Sequence, residues 1–321
     1  MILNKLKISR LIPLALLSCS ASVVQADEGG VSFWLPGQYS SLAAAPVQQG
    51  WSLALIYYHG SQEAQGSQEI PAAGKVNLGL DASSDLLLAV PSYAFEKPLW
   101  GAQATVSMAG LYGHASADVD ASLSLLDGSE ISGSDSGSLT AFGDLYPSLT
   151  LRWANGVHNT MAYGMIGVPV GSYNVNRLVN IGTNHWSADI GAGYTYFNPT
   201  SKNEFSAVAG LTYNFENSDT DYQNGIDLHL DLGASRFVTD QVHIGLVGYH
   251  FQQITGDSGS GAVLGDFKSK VSGVGPQIGY MFMMGKRASY INLKGYWEFG
   301  AKNRPEGWNS WLTFSMPFSA S

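Results

Sequence analysis

Asp227, His229 and Asp231 occupy every second position of the stretch Ile226-Asp-Leu-His-Leu-Asp-Leu-Gly-Ala234, with Ile226, Leu228, Leu230, Leu232 and Ala234 between them. Successive side chains of a strand face opposite sides, so this is a strand with one apolar and one polar face. Two carboxylates and an imidazole at mid-strand attract or repel ions where water is scarce. A solvated surface strand more often carries Lys, Thr and Glu at such positions. The pattern predicts a wall with lipid on one side and a polar lumen on the other.

Other reactive groups are sparse. The seven histidines, at 59, 114, 158, 185, 229, 243 and 250, form no His-Glu-x-x-His run. No cysteine ligands accompany them, so neither a zinc site nor any cofactor is expected. Gly256-Asp-Ser258-Gly259 is a loop without the Gly-x-Ser-x-Gly nucleophile pattern. The Asp/Gly/Ser-rich segment 257–266 lacks the spacing of an EF-hand and reads as a loop rather than a calcium site. His243 or His250 beside a serine is the one pairing suited to a Ser–His site on an outer wall. It keeps an outer-membrane lipid hydrolase as an alternative function, with a structural or adhesive barrel as a third.

The rest of the chain must position these groups. Charged residues make up 13%, about half the usual ~25%. Hydrophobic residues reach 45%, yet mean hydropathy is near zero. After the leader no run approaches the ~20 apolar residues of a membrane helix. The apolar residues are instead dispersed in alternation, among 38 Gly, 8 Trp and 16 Tyr.

Residues 1–26 have the form of a secretory signal. Lys5, Lys7 and Arg10 precede the apolar core Leu11–Leu17, and Val24-Gln25-Ala26 offers a cleavage site. Leu16-Leu17-Ser18-Cys19 also loosely resembles a lipoprotein signal. Cys19 is the only cysteine, so a chain cut after Ala26 has no disulfide. Loss of the leader's three positive charges moves the formal balance from −9 to −12. That acidity argues against nucleic acid as a partner.

Residues 27–50 show no period and are broken by Pro36, Gly37 and Pro46. The segment reads either as a free leader or as a plug folded into a lumen, because Phe33, Trp34, Leu35 and Tyr39 are costly to leave in water. From 51 to 321 the chain repeats one unit, a long alternating strand and a connection, about twelve times. Lys97-Pro98-Leu99-Trp100-Gly101, Asn155-Gly156, Asn198-Pro199 and Gly285-Lys286 mark tight turns. Longer Gly/Ser/Asp-rich loops are expected at 127–138, 171–183, 217–225, 255–268 and 303–307. The expected fold is all-β: an antiparallel transmembrane β-barrel of about twelve strands, with short periplasmic turns, longer extracellular loops and both termini periplasmic. The last strand must pair with the first to hide both edges from lipid.

Several blocks then resemble one family. They are Leu35-Pro36-Gly37-Gln38-Tyr39, Phe142-Gly143-Asp144-Leu145, Val168-Pro169-Val170-Gly171-Ser172-Tyr173 and Thr220-Asp221-Tyr222-Gln223-Asn224-Gly225. Gly248-Tyr249-His250-Phe251-Gln252-Gln253, Gly256-Asp257-Ser258-Gly259, Gly275-Pro276-Gln277-Ile278-Gly279-Tyr280 and Asn303-Arg304 continue the match. Together they resemble the outer-membrane family named for the meta-pathway of phenol degradation, which includes SphA-type proteins. The resemblance implies a channel in the outer membrane of a Gram-negative bacterium that takes up small hydrophobic or aromatic compounds, with no established catalytic residues. The chain departs from the usual pattern at its end, Phe318-Ser-Ala-Ser, where the terminal aromatic lies three residues inside.

Alternation extended from each turn assigns Arg152, Asp189, Asp227, His229, Asp231, Lys294 and Glu298 to the lumen. A basic residue facing lipid at the midplane costs roughly 2–4 kcal/mol, so the lumen is the cheap place for charge. Asp189, Asp231, Lys294 and His229 fall near mid-height and are expected to form a charged constriction. Inward Gly191, Gly193, Gly233, Gly273, Gly275 and Gly279 are expected to leave open space along the axis. The partners expected are outer-membrane lipid and lipopolysaccharide and a small hydrophobic or aromatic solute, with the chain a monomer.

Overall fold

The computed structural model describes residues 32–70, 74–125, 129–263, 265–285 and 287–318. The signal and Cys19 lie outside them. The alternating runs form twelve antiparallel strands: β1 (Gly50–Ile70), β2 (Gly74–Ala94), β3 (Gln103–Leu125), β4 (Glu130–Asn155), β5 (His158–Gly167) and β6 (Ser187–Asn198), then β7 (Asn203–Asn214), β8 (Asp227–Phe237), β9 (Val242–Gln253), β10 (Lys270–Met284), β11 (Arg287–Lys302) and β12 (Glu306–Pro317). Each pairs with its neighbours in sequence, and β1 closes on β12 from Ser52↔Pro317 to Glu63↔Glu306. Closure gives every strand a partner on both sides across the short-turn half of the barrel.

The outer face is apolar. Leu55, Leu87, Ile166, Ile190, Leu246 and Leu293 are exposed on it. Trp51 and Phe318 stack at the end that holds the short turns, and Trp297, Phe299 and Trp308 are exposed toward the other end. Trp308 and Phe318 stand ten residues apart. At ~3.3 Å per residue and a tilt of ~40° they span about 25 Å, the height of a membrane-facing band.

The barrel is lopsided. β1 to β4 run 21, 21, 23 and 26 residues, whereas β5 to β9 run 10 to 12. The loop expected at 127–138 is therefore corrected: from Glu130 onward it belongs to β4, paired with β3 from Ser124↔Glu130. Its Gly, Ser and Asp residues are poor strand formers, but an existing β3 edge supplies the ladder bonds that propensity does not. This tall wall carries Leu80, Val119 and Leu123 buried on its inner side. Part of the connection 168–186 lies against the same wall, where Leu178 and Val179 pack at Gly137.

A bulge in β4 ties that connection down. The register with β3 shifts between Gly110 and Tyr112, and Gly143 and Asp144 are both buried between exposed Phe142 and Leu145. Asp144 Oδ1 accepts the Gly171 amide at 2.7 Å, and Oδ2 accepts the amide and hydroxyl of Thr183 at 2.8 and 2.9 Å. Each bond to a charged acceptor is worth about 1.5–3 kcal/mol. Asp144→Ala is expected to loosen the connection and to speed tryptic cleavage after exposed Arg177 by roughly tenfold or more. An unchanged cleavage rate would mean that the packing of Val179 and Ile181 holds it instead.

The core lies inside the barrel. Trp34, Tyr58, Tyr163, Tyr249, Tyr296 and Trp311 are its largest side chains. The space expected beside the inward glycines is filled, which corrects that expectation. A Cβ on Gly191 would meet the Tyr163 ring, one on Gly279 the His243 ring, and one on Gly233 the Ser41 amide at 2.5 Å. These glycines admit large neighbours and a second stretch of backbone.

Candidate functional site

That second backbone is the segment before β1. Val47 exchanges hydrogen bonds with the Gln103 side chain at the turn end. Going backward along the chain, the Ala44 amide donates to Thr195 Oγ1 at 2.9 Å and the Leu42 amide to Glu204 Oε1 at 2.8 Å. The Ser41 hydroxyl accepts from Gln277 at 2.7 Å. Residues 32–46 thus climb the inner wall of β6 to β11, and Phe33 and Trp34 arrive at the upper lumen.

Asp231 and Lys294 grip this plug at one point. Asp231 accepts the Gly37 amide at 2.9 Å and the Tyr39 amide at 3.2 Å. Lys294 Nζ donates to the carbonyls of Gly37, Gln38 and Tyr39 at 2.6, 3.0 and 3.4 Å. Both side chains are buried, 1% and 3% exposed. Buried charges persist only when hydrogen bonds or opposite charges replace water, and here plug backbone supplies most of that replacement. Gly37 has φ +87°, and a Cβ there would meet Tyr296 at 2.9 Å and Tyr249 at 3.1 Å. A side chain at this position is excluded on both counts.

Above the grip, Trp34 stacks on His229, with centroids 3.6 Å apart and planes 14° from parallel. His229 Nε2 lies 2.9 Å from Asp189 Oδ2, which also accepts the Thr212 hydroxyl at 2.6 Å. Asp227, higher on β8, accepts from Asn214 Nδ2 at 2.9 Å. Arg152 stands lower, with Nη1 at 3.5 Å from Thr105 Oγ1. Glu298 accepts the Tyr249 hydroxyl at 2.5 Å and the Gly307 amide at 3.0 Å. All seven side chains named for the lumen thus stand on the inner wall. The expected constriction differs in kind. Asp189 pairs with His229, while Asp231 and Lys294 hold the plug between them and line no open ring.

A cavity of about 160 Å³ remains at the loop end, directly above the plug. Trp34 and Leu35 of the plug, Leu80, Leu86 and Leu111 of the wall, and Ile181 of the tied-down connection supply its apolar surface. Gln62, Glu298, Arg304 and Asn309 supply polar groups along another side. Sequence reading did not foresee this cavity, because its residues come from six separate parts of the chain.

The loops that roof the barrel are braced by Asp257, which accepts Tyr222 Oη at 2.6 Å, Gln253 Nε2 at 2.6 Å and the Gly225 amide at 3.1 Å. Among the described residues no cluster of three metal-binding side chains occurs. His243 is fully buried and reaches the Tyr290 hydroxyl at 2.9 Å, so it faces no outer surface. His250 Nδ1 lies 2.9 Å from Ser272 Oγ, and its Nε2 lies 3.3 Å from the Gln252 side-chain oxygen.

The fold is similar to that of the COG4313 outer membrane channel from Pseudomonas putida F1. The TM-score is 0.67 at 16% identity, over 89% of this chain and 100% of that one. Weaker likenesses include a Pseudomonas aeruginosa FadL homologue, with a TM-score of 0.37 at 9% identity over 92% of this chain and 96% of the other. The CymD monoaromatic hydrocarbon channel gives 0.36 at 8% identity, over 85% and 90%. Among curated proteins no sequence matches this chain. The family model for the MetA-pathway of phenol degradation matches residues 59–314, nearly the whole barrel, and the chain belongs to that family.

Proposed function

We propose that this protein is an outer-membrane channel of a Gram-negative bacterium for the uptake of small hydrophobic or aromatic compounds. The cavity above the plug carries this reading. It is apolar on most sides, lies at the loop end of the lumen axis, and is floored by Trp34 and Leu35, which belong to a segment outside the barrel wall. The floor under a solute there is a separate segment of chain held by side-chain hydrogen bonds, not the barrel wall itself. The apolar exterior and its aromatic rims support residence in a bilayer. We also propose that the barrel acts as a monomer and that residues 1–26 direct its export.

Passage onward requires either displacement of the plug or a way through the wall. Pro91 and Pro147 lack ladder donors, and together with Met108, Ile166 and Ile190 they line an apolar groove on the outer face. A hydrophobic solute leaving there enters lipid directly. Swelling of liposomes containing the purified protein, across a panel of aromatic and long-chain solutes, tests the reading. Swelling with small aromatics is expected, and swelling with none of the panel would sink it.

One observation favours a lipid hydrolase on the outer wall, the 2.9 Å contact of His250 with Ser272. The second imidazole nitrogen meets a neutral amide oxygen 3.3 Å away rather than a carboxylate. Fatty-acid release from mixed micelles that is lost in Ser272→Ala would establish that reading.

A further inference from the structure

We propose that the cavity above the plug binds an anionic solute, a single aromatic ring bearing a carboxylate, with Arg304 as the residue that recognises the charge. This rests on the uptake reading and names the class of solute.

The size of the cavity sets the body of the ligand. It measures about 160 Å³, and an apolar protein cavity of about 150 Å³ is large enough for benzene. Leu80, Leu86, Leu111 and Ile181 form walls suited to a ring face, and Trp34 closes one end.

Unmet hydrogen bonds set the head group. Arg304 lies in the short β11–β12 connection and lines the cavity. Its guanidinium rests 5.0 Å from the centre of the buried Phe251 ring. Nε and Nη1 are buried and have no hydrogen-bond partner. Trp34, which lines the same cavity and is 1% exposed, carries another buried donor without a partner, Nε1. Every buried side-chain atom left without a partner among the described cavity residues is therefore a donor. Such donors cost free energy until an acceptor arrives. An acceptor-only group with negative charge answers the two on Arg304, and a carboxylate is the compact form of it.

The one carboxylate in the lining does not fill this role. Glu298 forms no ion pair with Arg304 within 4.0 Å. Its oxygens are taken by the Tyr249 hydroxyl, the Asn309 amide group and the Gly307 backbone amide. It repels a ligand carboxylate from its own side of the cavity, and so favours the Arg304 side.

The test compares benzoate with benzamide, which has the same ring and nearly the same shape without the charge. Equilibrium dialysis of each against the purified full-length mature protein in detergent is expected to show benzoate bound roughly tenfold more tightly or better, the scale of charge-assisted bonds in a site poor in water. Arg304→Gln, checked for a folded barrel by heat-dependent gel mobility, is expected to remove that preference by weakening benzoate far more than benzamide. Equal binding of the two compounds by the parent overturns the proposal, with no variant needed. A preference that survives in Arg304→Gln overturns it as well. Influx of neutral benzyl alcohol into proteoliposomes separates the two readings. Influx without a benzoate preference removes the anion site and leaves uptake standing. A benzoate preference without influx of either compound removes uptake and leaves the anion site.

Discussion

Deleting residues 32–45 is expected to raise single-channel conductance in planar bilayers several-fold while the barrel still assembles. The argument is steric. The plug backbone lies over Gly233, whose absent Cβ leaves room for the Ser41 amide, and Trp34 covers the upper lumen by stacking on His229. Without that backbone, the wall at Gly233 on β8 is left open. Closure does not depend on the plug, because the β1–β12 ladder begins at Ser52↔Pro317. Heat-dependent gel mobility reports assembly separately from conductance. A deletion variant that assembles and conducts like the parent would show that the inward side chains alone close the lumen.

The second large effect is expected from the grip itself. Lys294→Ala leaves Asp231 buried without its cation, and Asp231→Ala does the reverse. The two charges are not in direct contact, but each lowers the cost of burying the other, and a buried charge that loses its compensation costs several kcal/mol. The barrel has a cheaper response than bearing that cost, which is to release residues 37–39 and let water reach the remaining charge. Both variants should therefore conduct more than the parent, with opposite selectivity. Lys294→Ala leaves a carboxylate in the widened lumen and shifts the reversal potential under a salt gradient toward cations. Asp231→Ala leaves an ammonium and shifts it away from them. The double variant Asp231→Asn/Lys294→Gln should lose less than the sum of the single changes, since the two charges grip the same stretch of plug, Asp231 through its amides and Lys294 through its carbonyls. If both single variants keep the parent's conductance and reversal potential, the plug is held by Trp34 and its aromatic neighbours, and the charges only fill the lumen.

The strands were legible because period-two alternation is a local signal. Ile226 to Ala234 states its two faces without reference to any other segment. Above the apolar band that signal fades. Apart from Ile131, Glu130 to Ser138 has both faces in polar or small residues, so its composition suggests a loop while pairing with β3 makes it strand. The bulge at Gly143 and Asp144 was hidden for a related reason: it shifts the phase of alternation by one residue, and only the β3 register reveals it. Phe33 and Trp34 could be read as groups that water would penalise, but not what receives them. The cavity was out of reach altogether. Arg304 is one polar residue in a short turn, and nothing near it in sequence indicates that Phe251 supports it and Trp34 shares its cavity.

The plug's grip also fixes an order of events. Gly37 meets Asp231 at a sequence separation of 194 and Lys294 at one of 257. The segment that emerges first during synthesis thus finds its full set of partners only after β11 has been made. Contacts so distant in sequence form slowly, since a large loop must close before they return any stabilisation. Refolding into detergent should accordingly proceed in two kinetic stages. The β-sheet signal by circular dichroism comes first, and burial of Trp34 against His229 follows as a slower change in tryptophan emission. That slower stage alone should disappear in Trp34→Phe, leaving the rate of sheet formation untouched.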